Sequence, residues 1–132
     1  AAGWVGRDAA SAGGEATALL GLATHFFIAT MFAAVFVNVA ASVPSIAARP
    51  VVSGTFYGLI LYVVMNYVVV PLSAAHASQH FPVDIAEAMS RLQVAFSALR
   101  PKDPLMLAGT ILTHTAFVGV PIAAITRRYV RA

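Results

Sequence analysis

Three long tracts without a charged residue dominate this sequence. No Asp, Glu, Lys or Arg lies between Glu15 and Arg49, between Arg49 and Asp84, or between Asp103 and Arg127. A helix needs about 20 apolar residues to cross the hydrocarbon core of a bilayer, and each tract is long enough. Only 10% of the residues are charged and 60% are hydrophobic, whereas soluble domains have about 25% charged residues. The sequence therefore predicts an integral membrane protein and excludes an ordinary soluble domain.

The tracts predict an all-α helical bundle with three transmembrane helices, at residues 16–43, 54–72 and 105–125. A β-strand in the second tract is excluded, because an isolated strand in lipid leaves its backbone unpaired and three tracts cannot close a barrel. The first helix would be about 42 Å long, which exceeds the hydrocarbon thickness of about 30 Å, so it must tilt or protrude. Gly119 and Pro121 are expected to bend the third helix.

The segments that flank the spans contain helix-breaking and helix-capping residues. Residues 1–15 hold four of the nine glycines and predict an irregular or interfacial segment. Pro44 and Pro50 bracket a short turn between the first two spans, because proline cannot continue a helix. Asp103 and Pro104 suit the N-cap and the first turn of the third span.

One polar stretch predicts an amphipathic helix at residues 83–99. Apolar side chains recur there at spacings of three and four residues; they are Ile85, Met89, Leu92, Phe96 and Leu99. Glu87 precedes Arg91 by four residues, the favourable order for an ion pair on a helix. We expect this helix to lie on the membrane surface or against a partner and not to cross the bilayer.

The distribution of basic residues predicts the orientation. Arg127, Arg128 and Arg131 directly follow the third span, in a basic tail at residues 126–132. By the positive-inside rule, this C-terminal tail and the turn that contains Arg49 are cytoplasmic. The N-terminal segment and the amphipathic helix are then on the outer side.

Composition and motifs exclude several functions. The eight basic residues outnumber the five acidic ones, but they form no clustered face, so we expect no nucleic-acid partner. The absence of cysteine excludes a disulfide framework and a thiolate metal site. No catalytic or phosphate-binding motif is present, and we expect no enzyme. His76 and His80 have metal-ligand spacing, but a solvated pair in a loop is the favoured interpretation and no metal is expected.

Two histidines and two asparagines lie within the predicted spans: His25, Asn38, Asn66 and His114. Such side chains cost free energy in lipid and are the default functional candidates. His25 and His114 lie about 14 Å below the outer ends of their helices, and Asn66 lies about 9 Å below the outer end of its own. Asn38 is about 220° around the first helix from His25 and is expected to face another subunit.

Small residues lie on the same helix rows as these polar groups. Small residues at four-residue spacing let helices approach closely, so the polar groups are expected to face a bundle interior. The predicted helix-packing residues are Gly21, Gly54, Gly58 and Gly119.

Three interpretations of the intramembrane histidines stay open. The favoured one is that they form hydrogen bonds across helices and fix the packing. The first alternative is a pigment-binding subunit, with His25 and His114 as axial ligands of haem or a (bacterio)chlorophyll. The second is a proton relay in a small transporter or acid-response membrane protein.

Three blocks of the chain carry a family resemblance. They include GWVGR at residues 3–7, MNYVVVPLSA at 65–74 and HTAFVGVPIA at 114–123. As a set these blocks resemble the YagU-like family of small bacterial inner-membrane proteins. The resemblance implies a four-helix protein with both termini inside, of which this chain supplies helices two to four. It implies no catalytic residues, and the amphipathic helix is an addition to the family pattern.

The favoured function is therefore a non-enzymatic accessory or scaffold subunit of a larger complex in the bacterial inner membrane. Its expected partners are membrane lipids and other membrane-protein subunits. Bound lipid is expected, and no other cofactor is required. The amphipathic helix is the expected docking element, since added surface helices commonly serve as contacts in larger assemblies.

Overall fold

The computed structural model describes residues 2–97 and 103–130. Within these ranges the chain is almost entirely helical and has no strand, and three helices are long and apolar enough to cross a membrane. The predicted all-α membrane fold is confirmed. The described residues form two compact units. The first contains residues 2–29 and 64–97, and the second contains residues 30–63 and 103–130.

Seven α-helices make up the described chain. They are α1 (Arg7–Ala12), α2 (Gly14–Ser42), α3 (Pro44–Ala48), α4 (Pro50–Val64), α5 (Ile85–Ser97), α6 (Pro104–Leu112) and α7 (Val120–Val130). A π-helical turn at Met65–Val69 extends α4, and another at Thr113–Gly119 joins α6 to α7. The three candidate spans are therefore α2, α4 with its π-helical turn, and the continuous helix from α6 to α7.

The N-terminal segment was predicted to be irregular or interfacial, and the first of these alternatives is wrong because the segment is helical. A 3-10 helix at Ala2–Val5 precedes α1, and two glycines with positive φ separate the helical pieces: Gly6 at φ 98° and Gly14 at φ 55°. Glycine adopts such angles at little cost, so it redirects the chain between helices here and does not prevent them from forming. The Thr17 hydroxyl donates to the Ala10 carbonyl over 2.8 Å and ties α1 to the first turns of α2.

The connection between the first two spans is also more helical than predicted. The segment between Pro44 and Pro50 contains α3, and α4 begins at Pro50, four residues before the predicted start at Gly54. Proline is compatible with the first turn of a helix, where its missing N–H has no partner to lose. Each proline therefore begins a helix here.

The third span begins as predicted and ends later. Asp103 is its N-cap, because one carboxylate oxygen accepts from the Leu105 amide over 2.9 Å and the Met106 amide over 3.4 Å. This prediction is confirmed. The helix then continues past the predicted end at residue 125 and includes Arg127 and Arg128 in its last turn. Basic residues there interact favourably with the negative end of the helix dipole.

Both π-helical turns lie just before a proline. The Val70 amide bonds to the Met65 carbonyl, and the Val120 amide bonds to the Thr115 carbonyl, five residues back in each case. A proline ring in a regular helix clashes with the carbonyl four residues earlier, and for Pro71 and Pro121 that carbonyl lies inside the π-helical turn. The wider turn accommodates the ring without ending the helix.

The core of the second unit is built from small and aromatic residues. It consists of Phe36, Ala40, Ala47 and Ala123, with Ile46, Tyr57 and Ile122 packed against it. These residues come from α2, α3, α4 and α7, and they join α3 to α7. The Phe36 and Tyr57 rings pack at 4.9 Å between centroids.

The amphipathic helix forms as α5, two residues after its predicted start at residue 83. Its N-terminus is capped reciprocally: the Asp84 carboxylate accepts from the Glu87 amide over 2.7 Å, and the Glu87 carboxylate accepts from the Val83 amide over 2.9 Å. Two side chains thus satisfy amides that have no partner within the helix. Leu99, the last residue of the predicted apolar stripe, lies outside the described residues.

Candidate functional site

The most deeply buried charged side chain in the described chain is Arg91 on α5, which is 6% exposed. Its Nη1 donates to the His80 carbonyl over 2.9 Å and lies 3.4 Å from the Pro71 carbonyl. Its Nε donates to Glu87 Oε1 over 3.1 Å, and its Nη2 contacts the same oxygen. The predicted ion pair between Glu87 and Arg91 is confirmed. We call Arg91, Glu87, His80 and the Pro71 carbonyl the Arg91 cluster.

The Arg91 cluster joins three separate segments of the first unit. Pro71 follows the second span, His80 lies in the loop before α5, and Glu87 belongs to the first turn of α5. Burying a charged group is costly unless it is paired and hydrogen-bonded, and Arg91 meets both conditions. The guanidinium therefore fixes the rotation of α5 about its own axis as well as its position.

The ring of His80 completes the cluster. Its Nδ1 lies 3.2 Å from Arg91 Nη2 and 2.7 Å from the Phe81 carbonyl, and its Nε2 lies 4.0 Å from the Glu87 carboxylate. A carbonyl only accepts and an arginine N–H only donates, so Nδ1 bonds to one of these two groups at a time. It donates to Phe81 when it carries the proton, and it accepts from Arg91 when the proton is on Nε2. The Val83 amide, and after it Arg91, hold the pKa of Glu87 below its usual value. Glu87 is thus kept as the anion that Arg91 requires.

This anchoring leaves the first two residues of the apolar stripe of α5, Ile85 and Met89, facing outward. Arg91 follows Met89 by two residues, about 200° around the helix. Ile85 is 82% exposed and Met89 is 61% exposed. Leu92 is half-buried, and Phe96 stacks on Tyr67 of the second span with ring centroids 5.6 Å apart. The helix therefore packs on the first unit through Arg91 and through the contact between Phe96 and Tyr67, and it leaves Ile85 and Met89 exposed.

The N-terminal segment is tied to the loop before α5. Trp4 Nε1 donates to the Thr24 hydroxyl over 3.1 Å. The Gln79 side chain accepts from the Asp8 amide over 3.0 Å and donates to the Asp8 carboxylate over 2.8 Å.

The sequence did not predict the contacts of Gln79 or the burial of Arg91. The four-residue spacing of Glu87 and Arg91 predicted their ion pair, but it did not indicate that the guanidinium of Arg91 is buried.

The four predicted intramembrane polar residues are divided between the two units. His25 and Asn66 belong to the first unit, and Asn38 and His114 belong to the second. His25 is exposed on α2, and its ring meets Phe26 edge to face at 6.1 Å. Asn38 is also exposed on α2, and its amide donates to the Ala34 carbonyl of the same helix over 2.8 Å. Asn66 is half-buried in the π-helical turn after α4.

His114 is half-buried in the π-helical turn between α6 and α7. Its Nδ1 lies 2.8 Å from the Thr110 carbonyl, and its ring meets the buried Tyr62 ring edge to face at 5.7 Å. A carbonyl only accepts, so in this arrangement Nδ1 carries the proton and Nε2 keeps its lone pair. Such a ring is a competent hydrogen-bond acceptor or metal ligand through Nε2.

Three of the predicted packing glycines meet at one helix crossing. A Cβ on Gly54 would lie 2.7 Å from the Gly119 carbonyl oxygen, and a Cβ on Gly58 would lie 2.6 Å from Thr115 Cα and contact the His114 carbonyl. A Cβ on Gly119 would contact the Gly54 carbonyl. The second and third spans therefore cross with their backbones in direct contact, as small residues allow.

The other predicted residues lie in the first unit. Gly21, on α2, is half-buried and lines a shallow cleft with Gly3 and Thr17. His76 Nδ1 lies 3.1 Å from the Ser78 hydroxyl in the loop before α5. Among the described residues, no three His, Cys, Asp or Glu side chains are grouped so that they could hold a metal ion.

Comparisons with protein families, with characterised proteins and with solved structures find no match to this chain. The contacts of the described residues are therefore what indicates a function.

Proposed function

We propose that this chain is a non-enzymatic subunit of a larger assembly in the bacterial inner membrane, and that α5 docks it to a partner subunit. One observation carries the proposal: the buried Arg91 holds α5 with Ile85 and Met89 directed outward. A helix of a soluble domain buries its apolar stripe and exposes its charged residues. On α5, by contrast, Arg91 is buried whereas Ile85 and Met89 are exposed, and this favours an apolar surface outside this chain as their partner.

Two polar groups at membrane depth support a protein partner. His25 and Asn38 are both exposed on α2, which is the longest of the candidate spans. A polar side chain in contact with lipid is costly, and hydrogen bonds to a neighbouring helix relieve that cost. The two residues lie about 220° apart around the helix, so helices on two sides of α2 would satisfy them.

Site-specific photo-crosslinking in native membranes tests the docking proposal. A photoreactive residue in place of Met89 is compared with the same residue in place of Val94. Both side chains are 61% exposed on α5, and they point about 140° apart. We expect a discrete protein adduct from position 89 and none from position 94, because only position 89 lies on the outward apolar stripe.

A second measurement separates protein docking from lipid contact. Met89→Asp should release the chain from its complex on native gels, whereas Val94→Asp should leave the complex intact. Lipid adducts alone at position 89, together with co-migration of the Met89→Asp variant, would show that the stripe rests in the lipid interface and would rule out the docking proposal.

A second candidate, a haem- or bacteriochlorophyll-binding subunit, is favoured by the geometry of His114. The bond from its Nδ1 to the Thr110 carbonyl fixes the tautomer that presents Nε2 to a metal. The absorption spectrum of protein from cells that make both pigments tests this candidate. We expect a Soret-type band that His114→Ala removes, and a colourless preparation would rule the candidate out.

A further inference from the structure

We propose that the second unit binds an anionic phospholipid, with an acyl chain in an apolar groove beside α2 and α4 and the headgroup on arginines at one end of that groove. The groove has a volume of about 370 Å³, within the range of small-ligand sites. Its walls come from α2, α3 and α4, and its lining residues are Phe36, Val39, Ile46, Ser53, Phe56, Tyr57 and Ile60. This site is independent of the proposed docking through α5.

The two hydroxyl groups in the lining are already engaged with the protein. Ser53 Oγ lies 2.9 Å from both the Ile46 and the Arg49 carbonyls, and the Tyr57 hydroxyl donates to the Phe32 carbonyl over 2.6 Å. Neither hydroxyl has a hydrogen left to donate to a ligand. All other lining side chains are hydrocarbon, so the groove selects an apolar chain over a polar ligand.

Positive charge lies at the α3 end of the groove. Arg49 lies in the chain between the lining residues Ile46 and Ser53, and it is exposed. Ala47 and Ala123 share the core that joins α3 to α7, and Arg127 follows Ala123 by one helical turn. Arg128 is next to it. These three arginines therefore gather at the end of the unit where α3 and α7 meet.

No acidic group in the described part of the second unit neutralises these arginines. The acidic residue described there, Asp103, caps the opposite end of the third span, about 35 Å along the helix from Arg127. None of Arg49, Arg127 and Arg128 forms an ion pair with a carboxylate among the described residues. Basic clusters next to apolar grooves between transmembrane helices bind anionic lipid headgroups, so charge and groove together specify an anionic phospholipid.

Native mass spectrometry of the full chain in a neutral detergent tests this site. The protein is titrated with phosphatidylglycerol and with phosphatidylcholine of identical acyl chains. We expect phosphatidylglycerol to bind at least about fivefold more tightly. Arg49→Gln should reduce that preference at least about threefold. Arg7→Gln, which removes an exposed arginine from the first unit, should leave it unchanged.

A substitution in the groove tests whether the acyl chain binds there. Val39→Phe fills the groove and should weaken the binding of both lipids at least about threefold, whereas Val35→Phe, one turn earlier and outside the lining, should not. Equal binding of the two lipids, equal effects of Arg49→Gln and Arg7→Gln, or unchanged binding in Val39→Phe would each overturn the proposal. If inorganic phosphate alone displaced the lipid, the arginines would form an anion site that does not use the groove, and this result would also contradict the proposal. Because Arg49 is exposed, its variant stays informative if Val39→Phe fails to fold.

Discussion

Arg91 is the residue whose burial differs most from what its position in the helical pattern predicts. On the helical pattern alone it belongs to the polar side of α5, which is normally the solvated side. Its partners are the carbonyls of Pro71 and His80, which lie 20 and 11 residues away in the chain. No local pattern encodes contacts over such separations, so the ion pair with Glu87 was predictable and the burial was not.

We expect Arg91→Met to destabilise the first unit by at least about 2 kcal/mol, because it leaves a carboxylate and two carbonyls without their charged donor. Trp4 is the only tryptophan in the chain and is bonded to Thr24 within the same unit, so its fluorescence reports thermal unfolding in detergent. Arg7→Met, at an exposed arginine, serves as the control. Equal midpoints for the two variants would show that the buried guanidinium contributes no net stability.

The stability of the Arg91 cluster should also depend on pH through Glu87. The pKa of Glu87 is lower in the folded protein than its usual value because the Val83 amide and Arg91 favour its anion. The ionised carboxylate then contributes stability above the pKa of the unfolded chain, and this contribution is lost as pH falls through the folded pKa. The difference in unfolding midpoint between the protein and Glu87→Gln should therefore shrink from pH 7 to pH 3. A constant difference would contradict this assignment.

At the scale of the helix pair, the crossing of the second and third spans has no room for a side chain. We expect Gly58→Ala to destabilise the protein by about 1–3 kcal/mol, because the added methyl group would overlap the backbone around His114 and Thr115. Gly109→Ala is the matched control on the third span, where a Cβ meets nothing within 4 Å. That change should be neutral or stabilise by up to about 1 kcal/mol. Similar losses of thermal stability in both variants would contradict the close crossing.

The helices themselves were largely predictable, and their details were limited by two physical effects. Charge-free tracts of spanning length gave the three spans, and Asp103 gave the start of the third, because both signals are local. Pro44 and Pro50 misled the prediction, since the same residue that ends a helix also suits a first turn. The π-helical turn before Pro121 was predicted only as a bend. The sequence shows that a proline ring must be accommodated in the helix, but it does not show how the backbone adjusts to that ring.

The features of the candidate site were also predictable only in part. The row that contains Gly54 and Gly58 is visible in the sequence as a four-residue repeat, but its contact with Gly119 depends on how two spans meet. The stripe that contains Ile85 and Met89 is visible as a periodicity, but its outward direction depends on the anchor at Arg91. Patterns within a helix therefore identified the groups, and tertiary contacts decided which way they face.

At the scale of the whole molecule, the acidic residues are unevenly distributed. The described part of the first unit has two arginines and four acidic residues, whereas that of the second unit has three arginines, Arg49, Arg127 and Arg128, and one acidic residue, Asp103. Basic residues next to spans are retained on the cytoplasmic side. In the predicted orientation, the three arginines of the second unit meet the anionic headgroups of the inner leaflet.

The basic residues next to the spans predict the orientation of the chain in the membrane. This orientation can be measured with single introduced cysteines, because the sequence has no native cysteine. Ser45 on α3 and Ala77 in the loop before α5 are both exposed. Ser45→Cys and Ala77→Cys therefore place one accessible thiol on each side of the predicted topology. An impermeant maleimide should label position 77 at the outer face of the inner membrane, and it should label position 45 only after that membrane is permeabilised. The reverse pattern would place the C-terminus outside and move the proposed lipid site to the outer leaflet. It would leave the chemistry of that site unchanged, because the groove and its arginines belong to one unit.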